Sequence, residues 1–150
     1  MHRQRGFSLI ELIVVIVLIA ATTALAASVM TTGLPGQQLR TASRELAAQL
    51  RYTRAQAIVT GKSQLFTLDA GSREWQAPNR RHGQLPGEID IVATGARIEQ
   101  TEPDVAAIRF FPEGAATGGR ILLSREQAAW QIDVEWLTGE VTVKRARAQR

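Results

Sequence analysis

The chain has 150 residues, of which 45% are hydrophobic and 21% are charged. This balance is typical of a globular domain and excludes a disordered tail, a collagen-like chain and a polytopic membrane protein. There is no cysteine and there are two histidines, which excludes disulfides and cysteine nucleophiles and disfavours a multi-histidine metal centre. The net charge of +4 is concentrated in residues 1–6 and 144–150, so the body of the chain is nearly neutral.

A long apolar segment follows the basic N-terminus. Only five residues between Phe7 and Met30 are polar, namely Ser8, Glu11, Thr22, Thr23 and Ser28. As a helix this segment would be roughly 36 Å long, enough to cross a bilayer. Because Arg3 and Arg5 precede it, the positive-inside rule places the N-terminus in the cytoplasm and the C-terminal part in the periplasm. We therefore predict a single inner-membrane span over residues 7–30.

Glu11 distinguishes this segment from an ordinary cleaved signal peptide. The signal-peptide interpretation has support, because residues 24–26 (Ala-Leu-Ala) offer a small-x-small cleavage site. An acidic residue within an apolar span, however, usually has a partner or a role. If the chain were cut after Gly6, the new amine of Phe7 would lie about one helical turn from Glu11, and a neighbouring subunit's amine would be equally reachable.

The residues Gly6-Phe7-Ser8-Leu9-Ile10-Glu11-Leu12 resemble the type IV prepilin signature. The resemblance implies cleavage between Gly6 and Phe7 by a prepilin peptidase, followed by N-methylation of Phe7. It also implies that Glu11 aids docking of the subunit into a filament by pairing with a neighbour's N-terminal amine. The apolar helix would first anchor the subunit in the membrane and later form the filament core.

We predict one long helix from Phe7 to Thr60 in two parts, with a kink or a short break at the Gly33-Leu34-Pro35-Gly36 segment between them. From about residue 37 to 60, apolar or small residues recur every three or four positions, and Gly61 should end the helix. This buried stripe consists of Leu39, Ala42, Leu46, Leu50, Thr53 and Ala57. The arginines on other faces are Arg40, Arg44, Arg51 and Arg54, which we interpret as a solvated face rather than as a patch for nucleic acid or an acidic partner.

After Gly61 the pattern changes to short alternating strands with tight turns, which is typical of an antiparallel sheet or small sandwich. Trp130 and Trp136 fall on the apolar face of one strand, so we predict that both lie in the core. The predicted strands cover residues 64–68, 88–92, 106–111, 120–123 and 130–136, with a terminal hairpin into 141–143. The predicted fold class is α+β, with a long N-terminal helix, half transmembrane and half amphipathic, packed on this sheet or sandwich.

These patterns divide the chain into a leader peptide, an anchor and a periplasmic domain. The leader is predicted at residues 1–6, the transmembrane and filament-core helix at 7–30, and the periplasmic domain at 31–150. Within that domain we predict an amphipathic helix at about 37–60, a β-rich body at 63–143 and a basic tail at 144–150.

No residue pattern supports catalysis, a metal site or a cofactor. The glycine-rich residues 114–119 lack the Lys-Ser/Thr ending of a phosphate loop and precede a strand. His82 falls in a polar segment that we interpret as a loop, without a second histidine. We interpret Asp133 and Glu135 as lying on the solvated face of a strand. We therefore predict a protein that is not an enzyme, and a membrane-tethered enzyme is the least favoured interpretation.

Two further stretches resemble the H-type minor pseudopilins (GspH) of type II secretion. Residues 108–123 resemble their phenylalanine-rich strand, Pro-acid-Gly turn and Gly-Gly strand start, and residues 133–141 resemble their closing hairpin. The candidate family loop consists of Phe111, Pro112, Gly114, Gly118 and Gly119. The resemblance implies a minor subunit at or near the tip of a periplasmic pseudopilus that exports folded proteins through the outer membrane. Its implied partners are other major and minor pseudopilins, the prepilin peptidase/N-methyltransferase, the inner-membrane assembly platform, and a secreted substrate or the secretin.

A related family, the FimT-like minor pilins, provides the alternative. Some of its members bind DNA through a basic C-terminal tail, and the end of this chain has such a composition. Phosphate contacts there would weaken steeply with salt, whereas a frayed, solvated end would make none. The candidate DNA contacts are Lys144, Arg145, Arg147 and Arg150.

Overall fold

The computed structural model describes residues 9–95 and 104–147, without the side chains of residues 24–35. Gly6, Phe7 and Arg150 lie outside these residues, as does part of the predicted 7–30 span. Within the described residues, one helix precedes eight strands. Their bounds are α1 Leu9–Thr60, β1 Gln64–Asp69, β2 Glu74–Ala77, β3 Arg81–Gln84, β4 Asp90–Gly95, β5 Val105–Phe110, β6 Gly119–Arg125, β7 Ala128–Val134 and β8 Val141–Arg147.

The helix α1 continues through residues 33–36, as expected for one long helix, so a short break there is wrong, whereas a kink stays a prediction. A proline within a helix removes one backbone hydrogen bond, and the flanking turns can continue on either side. The chain nevertheless divides into two compact units, residues 1–35 and residues 36–150. Within the described residues, no helix combines the length and the apolar character needed to cross a membrane.

The predicted apolar stripe of the second unit is confirmed. All six of its residues are at most 4% exposed, because they share the face of α1 that packs against the sheets. Gly61 follows the last helical residue with a φ of 63°, the left-handed conformation that ends many helices. The stripe residues are Leu39, Ala42, Leu46, Leu50, Thr53 and Ala57.

The β body consists of two four-stranded antiparallel sheets, which confirms the α+β fold class. Their strand orders are β3-β2-β1-β5 and β4-β6-β7-β8. A single core joins the helix to both sheets, and its fully buried members include Leu50 of α1, Phe66 and Phe110 of the first sheet, and Ile121 and Ile132 of the second.

The hairpin β2–β3 was not expected from the sequence. Its burial alternates over only four residues of β2, a run too short to stand out from a polar segment. In the structure Trp75 lies opposite Gly83, and His82 lies opposite Gln76. The assignment of His82 to a loop is therefore wrong. The predicted strand at 88–92 also begins later, at Asp90.

The prediction that Trp136 lies in the core is wrong. Its side chain is 63% exposed, because β7 ends at Val134 and the chain turns there. The Glu135 N–H donates to the Glu140 carbonyl at 2.9 Å, and the Gly139 N–H donates to the Glu135 carbonyl at 2.8 Å. Trp130 remains within β7 and is half-buried against the core.

Candidate functional site

Glu11 lies near the start of the described part of α1, among exposed aliphatic side chains. The aliphatic residues from Leu9 to Ile19 are 45–77% exposed. Apolar surface of this extent marks contact with a membrane or with other proteins. Phe7, its predicted partner on a neighbouring subunit, lies outside the described residues.

The candidate family loop forms a compact turn between β5 and β6. The Gly114 N–H donates to the Phe111 carbonyl at 2.9 Å, and the Phe111 N–H donates to the Ala115 carbonyl at 2.9 Å. Phe111 and Pro112 are half-buried, whereas Gly114 and Gly118 are buried. The loop is therefore fixed by its own backbone.

Two glycines of this loop adopt backbone conformations that other residues resist. Gly114 has a φ of 93° and Gly118 has a φ of 77°, both in the region that favours glycine. Gly119 begins β6, where an added Cβ would come within 3.0 Å of Ile108 Cδ1 and of the Thr94 carbonyl oxygen. The structure thus gives each glycine of the Gly-Gly strand start a steric reason.

The two stretches with the H-type resemblance meet at Arg54, a residue whose role the sequence did not reveal. Its Nε donates to the Gly114 carbonyl at 3.0 Å and to the Thr138 carbonyl at 3.1 Å. The two motifs also touch directly, because the Ala116 N–H donates to the Trp136 carbonyl at 2.8 Å. The helix, the family loop and the closing hairpin therefore form one structural unit around Arg54.

A second arginine of α1 contacts the same hairpin. The Nη2 of Arg51 donates to the Val141 carbonyl at 2.8 Å, although Arg51 is exposed, as are Arg40 and Arg44. The prediction of a solvated arginine face is therefore wrong for Arg54, which is half-buried, whereas Arg51 is exposed as predicted and still holds the hairpin. Their carbonyl partners lie 60 to 90 residues away in sequence, beyond the reach of periodicity arguments.

Three residues of the predicted basic tail, Lys144, Arg145 and Arg147, belong to β8 and extend the sheet beyond the predicted strand of 141–143. The expectation of a frayed end is therefore wrong for them. All three side chains are exposed. The cations thus stand on a regular strand, where pairing with β7 fixes their spacing.

Asp133 lies at the centre of a charged cluster on the second sheet. It accepts a hydrogen bond from Arg120 Nε at 2.7 Å and bonds from the Gln131 amide, and Lys144 Nζ lies 3.7 Å away. Partial burial opposes ionisation, but the hydrogen bonds and the charges of Arg120 and Lys144 outweigh it. They hold the pKa of Asp133 below its usual value. Glu135, by contrast, lies in the turn beyond β7, so the two carboxylates do not share a strand face.

A groove of about 790 Å³ borders this cluster, and Gly118, Trp136 and Thr142 contribute to its walls. Among residues 9–95 and 104–147, no cluster of histidine and carboxylate side chains is arranged to hold a metal ion. The contacts of Arg51 and Arg54 hold the helix, the family loop and the closing hairpin together. The groove beside Asp133 presents a charged, partly aromatic surface.

Comparison with known protein families identifies the family of this chain. A model described as "Type II transport protein GspH" matches residues 42–139, which is more than half of the chain. The chain belongs to the GspH family. This family comprises the H-type minor pseudopilins of type II secretion, as the resemblance implied. A model described as "Prokaryotic N-terminal methylation motif" matches residues 1–27 of this GspH-family chain.

Individual relatives agree with this assignment. The chain is 51% identical over 140 residues to a "Type II secretion system protein H" of Xanthomonas campestris pv. campestris, a match that covers 93% of this chain and 83% of that protein. This similarity favours the secretion family over the FimT-like alternative.

Solved structures show the same fold at low sequence identity. The minor pseudopilin EpsH from the type 2 secretion system of Vibrio cholerae has a TM-score of 0.54 at 12% identity, over 73% of this chain and 97% of that chain. The type IV minor pilin FimU of Pseudomonas aeruginosa has a TM-score of 0.58 at 11% identity, over 75% and 94%.

Proposed function

We propose that this GspH-family protein acts as a minor pseudopilin at or near the tip of a periplasmic pseudopilus and helps to export folded proteins through the outer membrane. The observation that carries the proposal is the exposed aliphatic surface of α1 from Leu9 to Ile19, with Glu11 within it. A helix that leaves such a surface uncovered needs a lipid or protein environment. A filament core supplies one, and the membrane supplies the other before assembly.

Maturation is proposed to begin with cleavage between Gly6 and Phe7 and N-methylation of Phe7, carried out by a prepilin peptidase. Cleavage removes the basic leader and creates an amine about one helical turn from Glu11. A carboxylate among aliphatic neighbours gains from a cation in the same plane, because the surroundings weaken solvent screening. Glu11 is thus proposed to select the axial position at which a new subunit docks against its neighbour.

The proposed location is the inner membrane, with a cytoplasmic N-terminus, a single span over residues 7–30 and a periplasmic domain over 31–150. Assembly would move the subunit into the pseudopilus. The proposed partners are other pseudopilins, the inner-membrane assembly platform, and a secreted protein or the secretin. The proposed role is structural and needs no cofactor.

The test is a secretion assay in cells that lack the native gene and express variants at the native level. Glu11→Gln keeps the shape of the side chain and removes its charge, so we expect normal cleavage with reduced secretion. Glu45→Gln is the matched control, because Glu45 is an exposed carboxylate on the same helix. Full secretion by Glu11→Gln, with both variants present in equal amounts, would contradict the proposed role of Glu11.

A further inference from the structure

The outer edge of β8 is the longest strand edge that the described residues leave uncovered. β8 has seven residues and is the last strand of its sheet. Elsewhere the edge strand β3 has four residues, and β4 lies beside β5. The edge of β5 is covered by the family loop, through a Phe110–Ala116 bridge and the bond from the Thr117 N–H to the Arg109 carbonyl.

Two independent contacts show which backbone groups of β8 point outward. The Glu135 N–H donates to the Glu140 carbonyl, so this pair is hydrogen-bonded. Such pairs alternate with non-bonded pairs along an antiparallel ladder, so the next pair, Val134–Val141, is non-bonded. The Val141 carbonyl should then point away from β7, and Arg51 does bind it from that side.

The same alternation directs the N–H and C=O groups of Val143, Arg145 and Arg147 away from β7. No backbone or side-chain group of residues 9–95 or 104–147 forms a hydrogen bond with them. Past the carbonyl held by Arg51, the strand therefore presents three donors and three acceptors in regular spacing. An edge of this kind is a template for pairing with another strand.

The side chains along this edge restrict which strand can pair. Arg145 and Arg147 are exposed, and within the described residues neither has a carboxylate at ion-pair distance. Lys144 projects from the opposite face of β8, towards Asp133. An incoming strand would thus meet cations on both of its faces. Cationic edge residues repel a second copy of the same edge and favour a strand that carries carboxylates.

We propose that the β8 edge, residues 143–147, binds an extended acidic segment of another polypeptide as an additional strand. Backbone pairing would supply affinity, and the cations would supply selectivity. A nucleic acid fits less well, because phosphates accept hydrogen bonds from N–H groups but have no donors for the alternating carbonyls. Binding at this edge does not depend on filament assembly.

The test uses the full chain in detergent micelles and a synthetic eight-residue peptide of alternating glutamate and valine. Two control peptides carry glutamine in place of glutamate, or N-methyl groups on the backbone amides that would pair. We expect the acidic peptide to slow amide hydrogen exchange at Val143, Arg145 and Arg147, which are open in the free protein. Both control peptides should bind at least about tenfold more weakly.

Variants of the protein separate the contribution of side-chain charge to peptide binding from that of backbone pairing. Arg145→Gln with Arg147→Gln should weaken binding of the acidic peptide about tenfold, the effect of two exposed ion pairs. Arg40→Gln with Arg44→Gln removes the same charge from the exposed face of α1 and should leave binding unchanged. The proposal would be overturned if the N-methylated peptide bound equally well. It would also be overturned if duplex DNA bound through these arginines while the acidic peptide protected no β8 amide.

Discussion

The Nε of Arg54 lies 3.0 Å from the carbonyl oxygen of Gly114, although sixty residues separate them in sequence. The same nitrogen lies 3.1 Å from the Thr138 carbonyl oxygen. One side chain of α1 therefore holds both the family loop and the closing hairpin. Hydrogen bonds from a charged donor are among the stronger contributions to stability.

Arg54→Ala is expected to lower the free energy of unfolding by about 1–3 kcal/mol, because two carbonyls lose a charged donor. Urea unfolding followed by circular dichroism measures this change. Arg44→Ala, an exposed position on the same helix, should change it by less than about 0.5 kcal/mol. Equal effects of the two substitutions would show that Arg54 does not fasten the loops.

Gly139→Ala should destabilise the fold more than Gly61→Ala. Both glycines have nearly the same left-handed backbone, with φ of 64° and 63°. An added Cβ on Gly139 would overlap the Gly114 carbonyl oxygen, whereas Gly61 has open space around it. We expect about 1 kcal/mol for Gly61→Ala and at least about 1 kcal/mol more for Gly139→Ala, both measured by urea unfolding. Similar losses would contradict the close approach of hairpin and loop.

Trp136 should be the tryptophan most accessible to solvent quenchers, because it is 63% exposed whereas Trp75 is 4% exposed. Trp136→Phe is therefore expected to remove the most strongly quenched part of the fluorescence in an acrylamide titration. Trp75→Phe should leave that part in place. A quenching profile unaffected by Trp136→Phe would place this side chain in the interior after all.

Asp133 should contribute a pH-dependent part of the stability. Its pKa is lower in the folded chain, so folding favours the ionised form. The contribution is therefore complete above the ordinary aspartate pKa of about 3.9 and is lost as the pH falls through the lower folded value. We expect Asp133→Asn to be less stable than the parent chain at pH 7, with the difference shrinking below about pH 4.

Urea unfolding at pH 7 and at pH 3 measures this difference. Arg120→Gln removes the closest cation of the cluster, at 2.7 Å, and should reduce the same pH dependence without changing Asp133. A difference between Asp133→Asn and the parent chain that stayed constant with pH would show that the carboxylate gains nothing from its neighbours.

Much of the fold could be predicted from local sequence patterns. The stripe from Leu39 to Ala57 could be predicted because its spacing follows the helical period, and the longer strands because their residues alternate. The errors arose where a local pattern meets a tertiary constraint. Trp136 continues the alternation of β7, but the turn at 135–140 removes it from the sheet. His82 and Trp75 belong to strands too short to show a period.

Candidate site residues could be proposed from the sequence only where they form a contiguous motif. The segment from Gly6 to Leu12 and the glycines of residues 114–119 stand together in sequence, so their pattern singled them out as candidates. Arg51 and Arg54 act on carbonyls far along the chain, and a carbonyl carries no sequence signature. The outward backbone groups of β8 depend on the register of the closing hairpin, which only the structure supplies.

We infer that the chain matures as a pilin-like subunit whose N-terminal amine and Glu11 direct assembly. The most direct test is the intact mass and N-terminal residue of the protein purified from its own membrane. We expect a chain that starts at Phe7 and carries one added methyl group on its N-terminal amine. A chain that starts near Ala27, or that still begins at Met1, would contradict it.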